Sequence, residues 1–354
     1  MYPSASNPTY GIFVKQTYNW LAEKYDVTLV KISKQKFFLG KFFIYMVFYL
    51  KSIFWGLVGK YDLVYAHFIS HSALPVWIIK FFHPKIIVIG NIHGEDVFFQ
   101  YEKFQKNKKH SEVFLKKADF IISPSLYYKN RLAKEYTFPE KNIFVSPSGG
   151  VDIRLFKPLD SISSKEKMNL NLAKNYIGFA SRLEKGKGCD VLINAFSELK
   201  HPDCMLLIVG NGSEEKQLKT LVQKLSLSGK VVFFPLLPHE KLTHFYNSLD
   251  VFCFPSERES ESLGLVGLEA MACGTLCVVS DNFGIMTYAV DGQNAIVFEK
   301  SNEKDLALKL KKALSLDSEQ KQKIKSNARQ TGLEYSSDKT KKEFLNFFNE
   351  VLKI

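Results

Sequence analysis

Short apolar runs alternate along the chain with longer stretches that have the spacing of surface helices. In the first half these runs occur at 27–32, 63–66, 86–89, 120–123 and 143–146. Helical periodicity occurs between them, for example at 15–24 and 126–135. Continuous apolar runs of this length between helices are typical of buried parallel strands. The first half is therefore predicted to be a parallel sheet with helices on its faces.

The second half repeats the alternation, with apolar runs at 176–180, 205–209, 231–234, 251–254, 276–280 and 295–298. The intervening stretch 153–175 is polar and rich in serine, lysine and glutamate, which is the composition of a linker. Residues 341–352 have the periodicity of an amphipathic helix. We therefore predict an α/β fold with two domains, 1–152 and 176–335, a linker at 153–175 and a terminal helix within 336–354. A chain of 354 residues is long enough for two cores.

Two glutamates, Glu261 and Glu269, stand eight positions apart around a glycine-containing apolar turn. The residues between them are predicted to end a loop and open a helix. The free N–H groups and the dipole of a helix start favour a phosphate-like anion. The alternative interpretation is a buried βα unit in which the glutamates cap or salt-bridge the helix. The candidate anion-binding residues are Ser262, Gly264, Leu265 and Val266.

A basic turn follows the predicted strand 176–180. Arg182 and Lys187 lie on either side of this turn, which Gly186 and Gly188 make flexible. A planar guanidinium and a mobile ammonium together suit a diphosphate leaving group as charge develops on it. The alternative is a solvated surface turn. Ligands of parallel sheets bind beyond the carboxyl ends of the strands, so Arg182, Gly210 and Ser256 are expected to share one rim.

These motifs together resemble one known family. The spacings Arg182-Leu183-x3-Lys187-Gly188 and Glu261-x7-Glu269, with 208–212, are similar to those of retaining glycosyltransferases of family 4 (group 1), which have the GT-B fold. In the first half, 8–15, 92–97 and 147–152 also resemble the family. The resemblance implies two Rossmann-like domains facing across a cleft, with the terminal helix returning to the first domain.

The resemblance also implies roles for individual residues. Arg182 and Lys187 would bind the donor diphosphate, Glu269 the ribose hydroxyls and Glu261 the transferred sugar. The leaving phosphate would help to deprotonate the acceptor in a front-face displacement. His93 would contact the donor sugar from the first domain; without the resemblance, a structural histidine is the simpler interpretation, as it is for His67 and His71. Three further residues would approach the donor: Gly11, Gly210 and, by position near the base, Leu237.

No metal and no cofactor are expected. The chain contains no Asp-x-Asp sequence, which metal-dependent sugar-nucleotide enzymes usually carry. The basic pair and the helix start would take the place of Mg²⁺ or Mn²⁺. The five cysteines lack CxxC or histidine spacing, and the first residues are polar, so a reduced, cytoplasmic location is expected.

The function predicted is transfer of a sugar from a UDP- or GDP-linked donor to a lipid-linked or cell-surface polysaccharide or lipopolysaccharide acceptor. Two alternatives stay open: the same chemistry on a soluble small molecule, and a non-catalytic sugar-nucleotide-binding protein. Leu276 and the segment 281–288 depart from the family pattern, which leaves the donor sugar undefined. Nucleic acid is not expected as a partner, because the basic residues are mixed with long apolar runs.

Positive charge is concentrated in the first half. Residues 1–152 hold 20 Lys/Arg against 11 Asp/Glu, and 27–61 contains six lysines and no acid. The nine apolar or aromatic residues at 42–50 are too few to cross a bilayer. A helix lying on an anionic membrane surface, at 34–60, and a core helix packed on the sheet fit this pattern equally well.

The start of the chain departs from the family as well. Group 1 proteins open with an apolar strand before the loop that contains Gly11, whereas this chain starts at Met1-Tyr2-Pro3. We expect the true start to lie upstream, because the absence of a middle strand would leave its two neighbours with unpaired backbone groups.

Overall fold

The computed structural model describes residues 2–3, 11–33, 38–99 and 105–353. The chain divides into two compact units. One unit spans Met1–Gly149 and Lys339–Ile354, and the other spans Gly150–Asp338. Each unit is built on its own parallel sheet.

The sheet of the first unit has four parallel strands in chain order among the described residues. They are β1 (Leu63–His67), β2 (Ile87–Asn91), β3 (Phe120–Ser123) and β4 (Ile143–Val145). The central strands are buried on both faces, which explains their continuous apolar sequence. The helices are α1 (Ile12–Ala22), α2 (Phe38–Val58), α3 (Ile69–Phe82), α4 (Lys108–Leu115) and α5 (Leu126–Tyr136).

The strand predicted at 27–32 is wrong. This segment has no regular secondary structure and pairs with no described strand. Together with β1, the segment lines an open cavity of about 1790 Å³. No ladder of backbone hydrogen bonds joins it to a described strand. Thr28 and Lys31 interrupt this run, so it indicates a half-buried segment, and its apolar residues do not by themselves supply a partner strand. The expected opening strand, and residues 8–10 of the first motif, lie outside the described residues.

The helix at 38–58 is longer than the sequence analysis allowed. Residues flanking the nine-residue run continue the helix, and the stretch Gly40–Val58 is long and apolar enough to cross a membrane by length and composition. The prediction that this region is too short to span is therefore wrong. It counted only the uninterrupted run, whereas Lys51, Ser52 and Gly56 are compatible with a longer apolar helix.

The last helix, α13 (Ser337–Leu352), lies on the sheet of the first unit. Phe344 packs against Trp20 with ring centroids 5.7 Å apart, and Phe347 stacks on Phe144 at 4.5 Å. Lys341 forms an ion pair with Glu23 at the surface. A segment that is distant in sequence thus completes this core.

The sheet of the second unit has six parallel strands in the order β10-β9-β8-β5-β6-β7. They are β5 (Asn175–Ala180), β6 (Cys204–Val209), β7 (Val231–Phe234), β8 (Val251–Phe254), β9 (Cys277–Ser280) and β10 (Ile296–Phe298). The strand order reverses between β5 and β8, and ligands of such sheets bind beyond the carboxyl ends at this point. The helices are α6 (Ser161–Lys167), α7 (Cys189–Leu199), α8 (Glu215–Lys224), α9 (His239–Ser248), α10 (Leu265–Ala272), α11 (Glu303–Ser315) and α12 (Ser318–Glu334).

The segment 153–175 is not a linker but part of the second unit. Asp160 caps α6 by accepting from the N–H of Ser163 at 2.7 Å. Phe156 and Met168, on either side of this helix, are buried in the core. Because the rest of the segment is polar, its sequence did not indicate that Phe156 and Met168 are buried.

Candidate functional site

The loops after β5 and β8 meet at the point where the strand order reverses. The N–H of Glu257 donates to the carbonyl of Gly186 at 2.9 Å, which joins the two loops directly. Arg182, Gly210 and Ser256 each follow a strand at this end of the sheet. The structure therefore brings the two sequence motifs of the second unit to one rim.

Lys187 and Glu261 form a buried ion pair at this rim. Their side chains meet at 2.6 Å and are only 12% and 11% exposed. The hydroxyl of Ser256 donates to the same carboxylate oxygen at 2.7 Å. Burial alone would raise the pKa of Glu261, but the Lys187 ammonium and the two hydrogen bonds outweigh it and hold the pKa below its usual value. The carboxylate is therefore ionised, and its charge is balanced by the cation that was expected to meet the phosphate.

A second group of charges lies beside this pair. Arg182 is 65% exposed and contacts Glu184 at 3.1 Å. Arg258 reaches the other oxygen of Glu184 at 3.1 Å and also donates to the carbonyl of Lys185. Burial raises the pKa of Glu184, but the two guanidinium groups outweigh it and leave the pKa lowered. Arg258 and Glu184 escaped the sequence analysis, although Arg258 lies only four positions after β8.

Two helices start at the rim. Helix α10 begins after Gly264 and α7 begins after Gly188, and both glycines have left-handed backbones with φ of 79° and 75°. A Cβ at Gly264 would overlap the ring of Phe254, and one at Gly188 would overlap the carbonyl of Pro255. Only glycine fits both positions. The first N–H groups of each helix lack intrahelical partners and can bind an anion.

Glu269 lies on α10 and accepts a hydrogen bond from the hydroxyl of Tyr246 at 2.9 Å. Burial raises the pKa of Glu269 to about 7, although the hydrogen bond from Tyr246 lowers it. No cation lies in a salt bridge with this carboxylate in the described part of the chain. Tyr246 also escaped the sequence analysis, because a tyrosine on an amphipathic helix carries no distinguishing signal.

The other predicted residues of the second unit occupy the same end of the sheet or its margin. Gly210 follows β6, and Leu237 is half-buried after β7. Ser262, Leu265 and Val266 are half-exposed around the start of α10. The departing segment 281–288 forms a short 3₁₀ helix at Ile285–Thr287, and Tyr288 donates to the carbonyl of Gly264 at 3.3 Å.

The predicted residues of the first unit form a separate group. Gly11 precedes α1, and His93 follows β2. His93 Nε2 lies 3.0 Å from His67 Nδ1, and His67 Nε2 lies 3.1 Å from Thr17 Oγ1. Burial lowers the pKa of His93 to about 3 and that of His67 well below its usual value, so both rings are neutral. The sequence analysis treated His67 as structural, whereas the structure places it directly against His93.

Asp96 fixes the turn that carries His93. Its carboxylate accepts from the N–H of His93 at 2.8 Å and from the N–H of Ile69 at 3.2 Å. Burial raises the pKa of Asp96 to about 6 against the lowering effect of these hydrogen bonds. The position of His93 is therefore set by buried backbone contacts.

The described ranges contain no cluster of metal ligands. No group of three or more His, Cys, Asp or Glu side chains there could hold a metal ion. All five cysteines are buried and unpaired as disulfides.

Comparison with known proteins gives a consistent result. Residues 160–331 match the family model of the glycosyl transferases group 1. A D-inositol 3-phosphate glycosyltransferase of Acidothermus cellulolyticus is 31% identical over 193 residues, which cover 51% of this chain and 42% of that relative. The match thus spans less than half the length of that relative.

Solved structures share the fold along most of the chain. Sucrose-phosphate synthase from Thermosynechococcus elongatus has a TM-score of 0.82 at 19% identity, covering 98% of this chain and 94% of that one. Anabaena HepE, solved in complex with UDP-glucose, has a TM-score of 0.75 at 21% identity, covering 94% and 89%.

Two parallel α/β sheets with this likeness show the GT-B fold. Residues 160–331 are thus similar to the group 1 glycosyltransferases, the family that the sequence motifs resemble.

Proposed function

We propose that this protein is a retaining, metal-independent glycosyltransferase whose donor is a sugar linked to UDP or GDP. The observation that carries the proposal is the Lys187–Glu261 pair, which lies beside two glycine-started helices at the reversal point of the sheet. The crystal structure of HepE with UDP-glucose supports a UDP-linked donor.

In the proposed reaction the bond between the sugar C1 and the diphosphate oxygen breaks, and a bond from C1 to the acceptor oxygen forms on the same face. The leaving diphosphate takes the proton of the acceptor hydroxyl. Arg182, Lys187 and the N–H groups at the start of α10 stabilise the charge that develops on the diphosphate. Glu261 accepts from hydroxyls of the transferred sugar, and Glu269 from those of the ribose.

The acceptor proposed is a lipid-linked or cell-surface glycan. Peripheral contact with an anionic membrane through 34–60, on its cytoplasmic side, belongs to the same proposal. One observation favours the second candidate, a soluble small-molecule acceptor. Relatives and neighbours include an inositol 3-phosphate glycosyltransferase and a sucrose-phosphate synthase, whose names specify small acceptors.

Metal independence can be tested by measuring turnover of the donor with and without EDTA. We expect UDP to raise the melting temperature, and hydrolysis or transfer from a UDP- or GDP-sugar to continue in EDTA, because protein cations carry the role of a divalent ion. The measurement is a thermal-shift panel of UDP, GDP and ADP sugars, followed by turnover with and without EDTA. Loss of turnover in EDTA, restored by Mg²⁺ or Mn²⁺, would contradict the metal-free mechanism. Saturable binding with no turnover for any acceptor would favour a sugar-nucleotide sensor.

A further inference from the structure

Helix α2 has one face docked and the opposite face uncovered. The ring of Tyr45 on α2 lies 5.6 Å from that of His71 on α3, and Gly56 of α2 packs closely against Ile79 of α3. These two contacts are eleven positions apart, so α2 lies along α3 over most of its length. An apolar stripe at spacings of three and four points the other way and is exposed: Phe43, Val47, Leu50, Phe54 and Val58.

Helix α3 adds a second exposed apolar stripe that the sequence analysis did not include. Leu74, Trp77 and Phe81 follow one another at spacings of three and four, and Phe81 is 68% exposed. Trp77 and Phe81 stack with centroids 6.1 Å apart, and Phe82 packs edge-on against Phe81. Neighbouring exposed apolar side chains of this size mark an interaction surface in a folded protein.

The charges around these stripes specify the partner. Lys41, Lys51 and Lys60 on α2 and its end are exposed, as is Lys85 after α3. Positive charge beside an apolar face complements anionic lipid headgroups, and tryptophan favours the depth of the membrane interface. Although α2 is long enough to span a bilayer, spanning would remove its contacts with α3.

We propose that the exposed faces of α2 and α3 together form one lipid-contacting surface, which lies in the plane of an anionic bilayer. This inference deepens the membrane contact proposed above by adding α3. It does not depend on the sugar-transfer chemistry, so the two can fail separately.

Flotation with vesicles of phosphatidylcholine, with and without phosphatidylserine, tests the surface. We expect wild-type protein to float with the phosphatidylserine vesicles. The variant Trp77→Ser/Phe81→Ser should bind these vesicles at least about tenfold more weakly, because two interfacial aromatic contacts are lost. Phe43→Ser/Leu50→Ser should do the same. Leu308→Ser is the matched control, because Leu308 is 66% exposed on α11 of the other unit. An unchanged melting temperature of the ligand-free variants shows that they are folded.

Three results would overturn the inference. If the α3 variant floats like wild type while the α2 variant does not, α3 takes no part. If binding is equal with and without phosphatidylserine, the lysines do not select the lipid. If wild type ignores vesicles and elutes as a dimer that the α3 variant splits, the surface binds a second copy of the chain.

A different observation carries a second inference, in the first unit. The Thr17 hydroxyl has one proton and lies 3.0 Å from the carbonyl of Phe13 and 3.2 Å from that of Val14. Carbonyl oxygens only accept, so the proton is directed toward them. Thr17 then accepts from His67 Nε2–H, which leaves His67 Nδ1 to accept from His93 Nε2–H.

We infer that His67 is a positioning residue that holds His93 in the Nε2–H tautomer. Nδ1 of His93 then presents a lone pair, and no hydrogen-bond partner faces it among the described residues. Such a nitrogen accepts a hydrogen bond from a sugar hydroxyl and cannot donate one. This selectivity toward the donor sugar rests on the proposed function; the tautomer itself does not.

Long-range ¹H–¹⁵N NMR of the histidine rings reads the tautomer directly in ligand-free protein. We expect Nε2–H at His93 in wild type and in His67→Gln, whose amide can both accept and donate, and a mixture of tautomers in His67→Phe. His67→Phe should raise KM for the donor several-fold, with His67→Gln closer to wild type. A proton on Nδ1 of His93 in wild type, or an unchanged spectrum in His67→Phe, would overturn the inference. A normal spectrum with unaltered KM in all variants would contradict the sugar contact alone.

Discussion

Replacing Lys187 by methionine is expected to lower turnover by about 10²–10³-fold, because a preorganised donor to the leaving diphosphate is lost. The same change should destabilise the second unit by about 3–5 kcal/mol, since it leaves the buried Glu261 carboxylate without its cation. Turnover with a UDP-sugar and the free energy of unfolding in urea measure the two effects.

A second substitution separates catalysis from stability. Lys187→Met/Glu261→Gln removes the charge on both sides of the pair, so most of the lost stability should return while turnover stays low. Lys185→Met, two positions away on the same turn and exposed, is the matched control. If the double variant recovers turnover as well, the ammonium acts only on Glu261 and not on the donor. Neutral replacements of both Arg182 and Lys187 that leave donor affinity and turnover intact would exclude the proposed diphosphate site.

The pair also has a pH signature. The pKa of Glu261 in the folded protein is lowered, so its contribution to stability is present above its unfolded pKa and is lost as the pH falls through the folded value. In Lys187→Met the main compensating cation is lost, and we expect burial to outweigh Arg258 and the Ser256 hydrogen bond and to raise that pKa. The stability of this variant should therefore fall as the pH rises, which is the reverse of the contribution in wild type.

Glu269→Gln is expected to weaken UDP binding by about 10–100-fold and yet to stabilise the ligand-free protein at about pH 8. The loss in affinity follows because a carboxylate accepts charge-assisted hydrogen bonds from two ribose hydroxyls and an amide cannot. The gain in stability follows because wild type must keep this buried carboxylate ionised at that pH. Calorimetric titration measures the expected loss of affinity for UDP, and thermal melts measure the expected gain in stability.

The pH dependence of Glu269 follows from its raised pKa of about 7. Its contribution to stability is complete below the unfolded pKa of about 4.5 and is lost as the pH rises through about 7. Affinity for UDP runs the other way and should increase between about pH 6 and about pH 8, as the carboxylate ionises. Tyr246→Phe removes the hydrogen bond that lowers the pKa, so it should move both profiles to higher pH. Glu240→Gln, an exposed acid on α9, is the control. Affinity that is independent of pH in wild type would contradict a ribose contact by Glu269.

The sequence predicted the second sheet closely because its central strands are buried on both faces. Such strands are continuous apolar runs, and the runs at 205–209 and 251–254 match β6 and β8 to within a residue. The run at 27–32 failed because its pattern describes a half-buried segment, and pairing depends on a neighbour that the local sequence does not specify. The prediction of a linker at 153–175 was wrong because two buried apolar residues, Phe156 and Met168, anchor this otherwise polar stretch to the core.

The motifs predicted site residues on loops that meet in the structure, but they did not predict the contacts between those residues. Lys187 and Glu261 are 74 positions apart, and no spacing rule predicts that they neutralise each other. The same holds for Arg258, which meets Glu184 from another loop, and for His67, which meets His93 from a neighbouring strand. These contacts follow from the strand order, which brings distant loop ends together and is not written in any local pattern.

The assignment of α13 to the first unit bears on how this protein is synthesised. Residues 150–338 form one continuous body, whereas the first unit also needs Phe344 and Phe348, from the other end of the sequence, to close its core. Until these residues are synthesised, Trp20, Ile89 and Ile122 lack part of their apolar cover, so the first unit exposes apolar surface during translation. A stop codon near 340 would accordingly produce an aggregating product rather than a shortened enzyme.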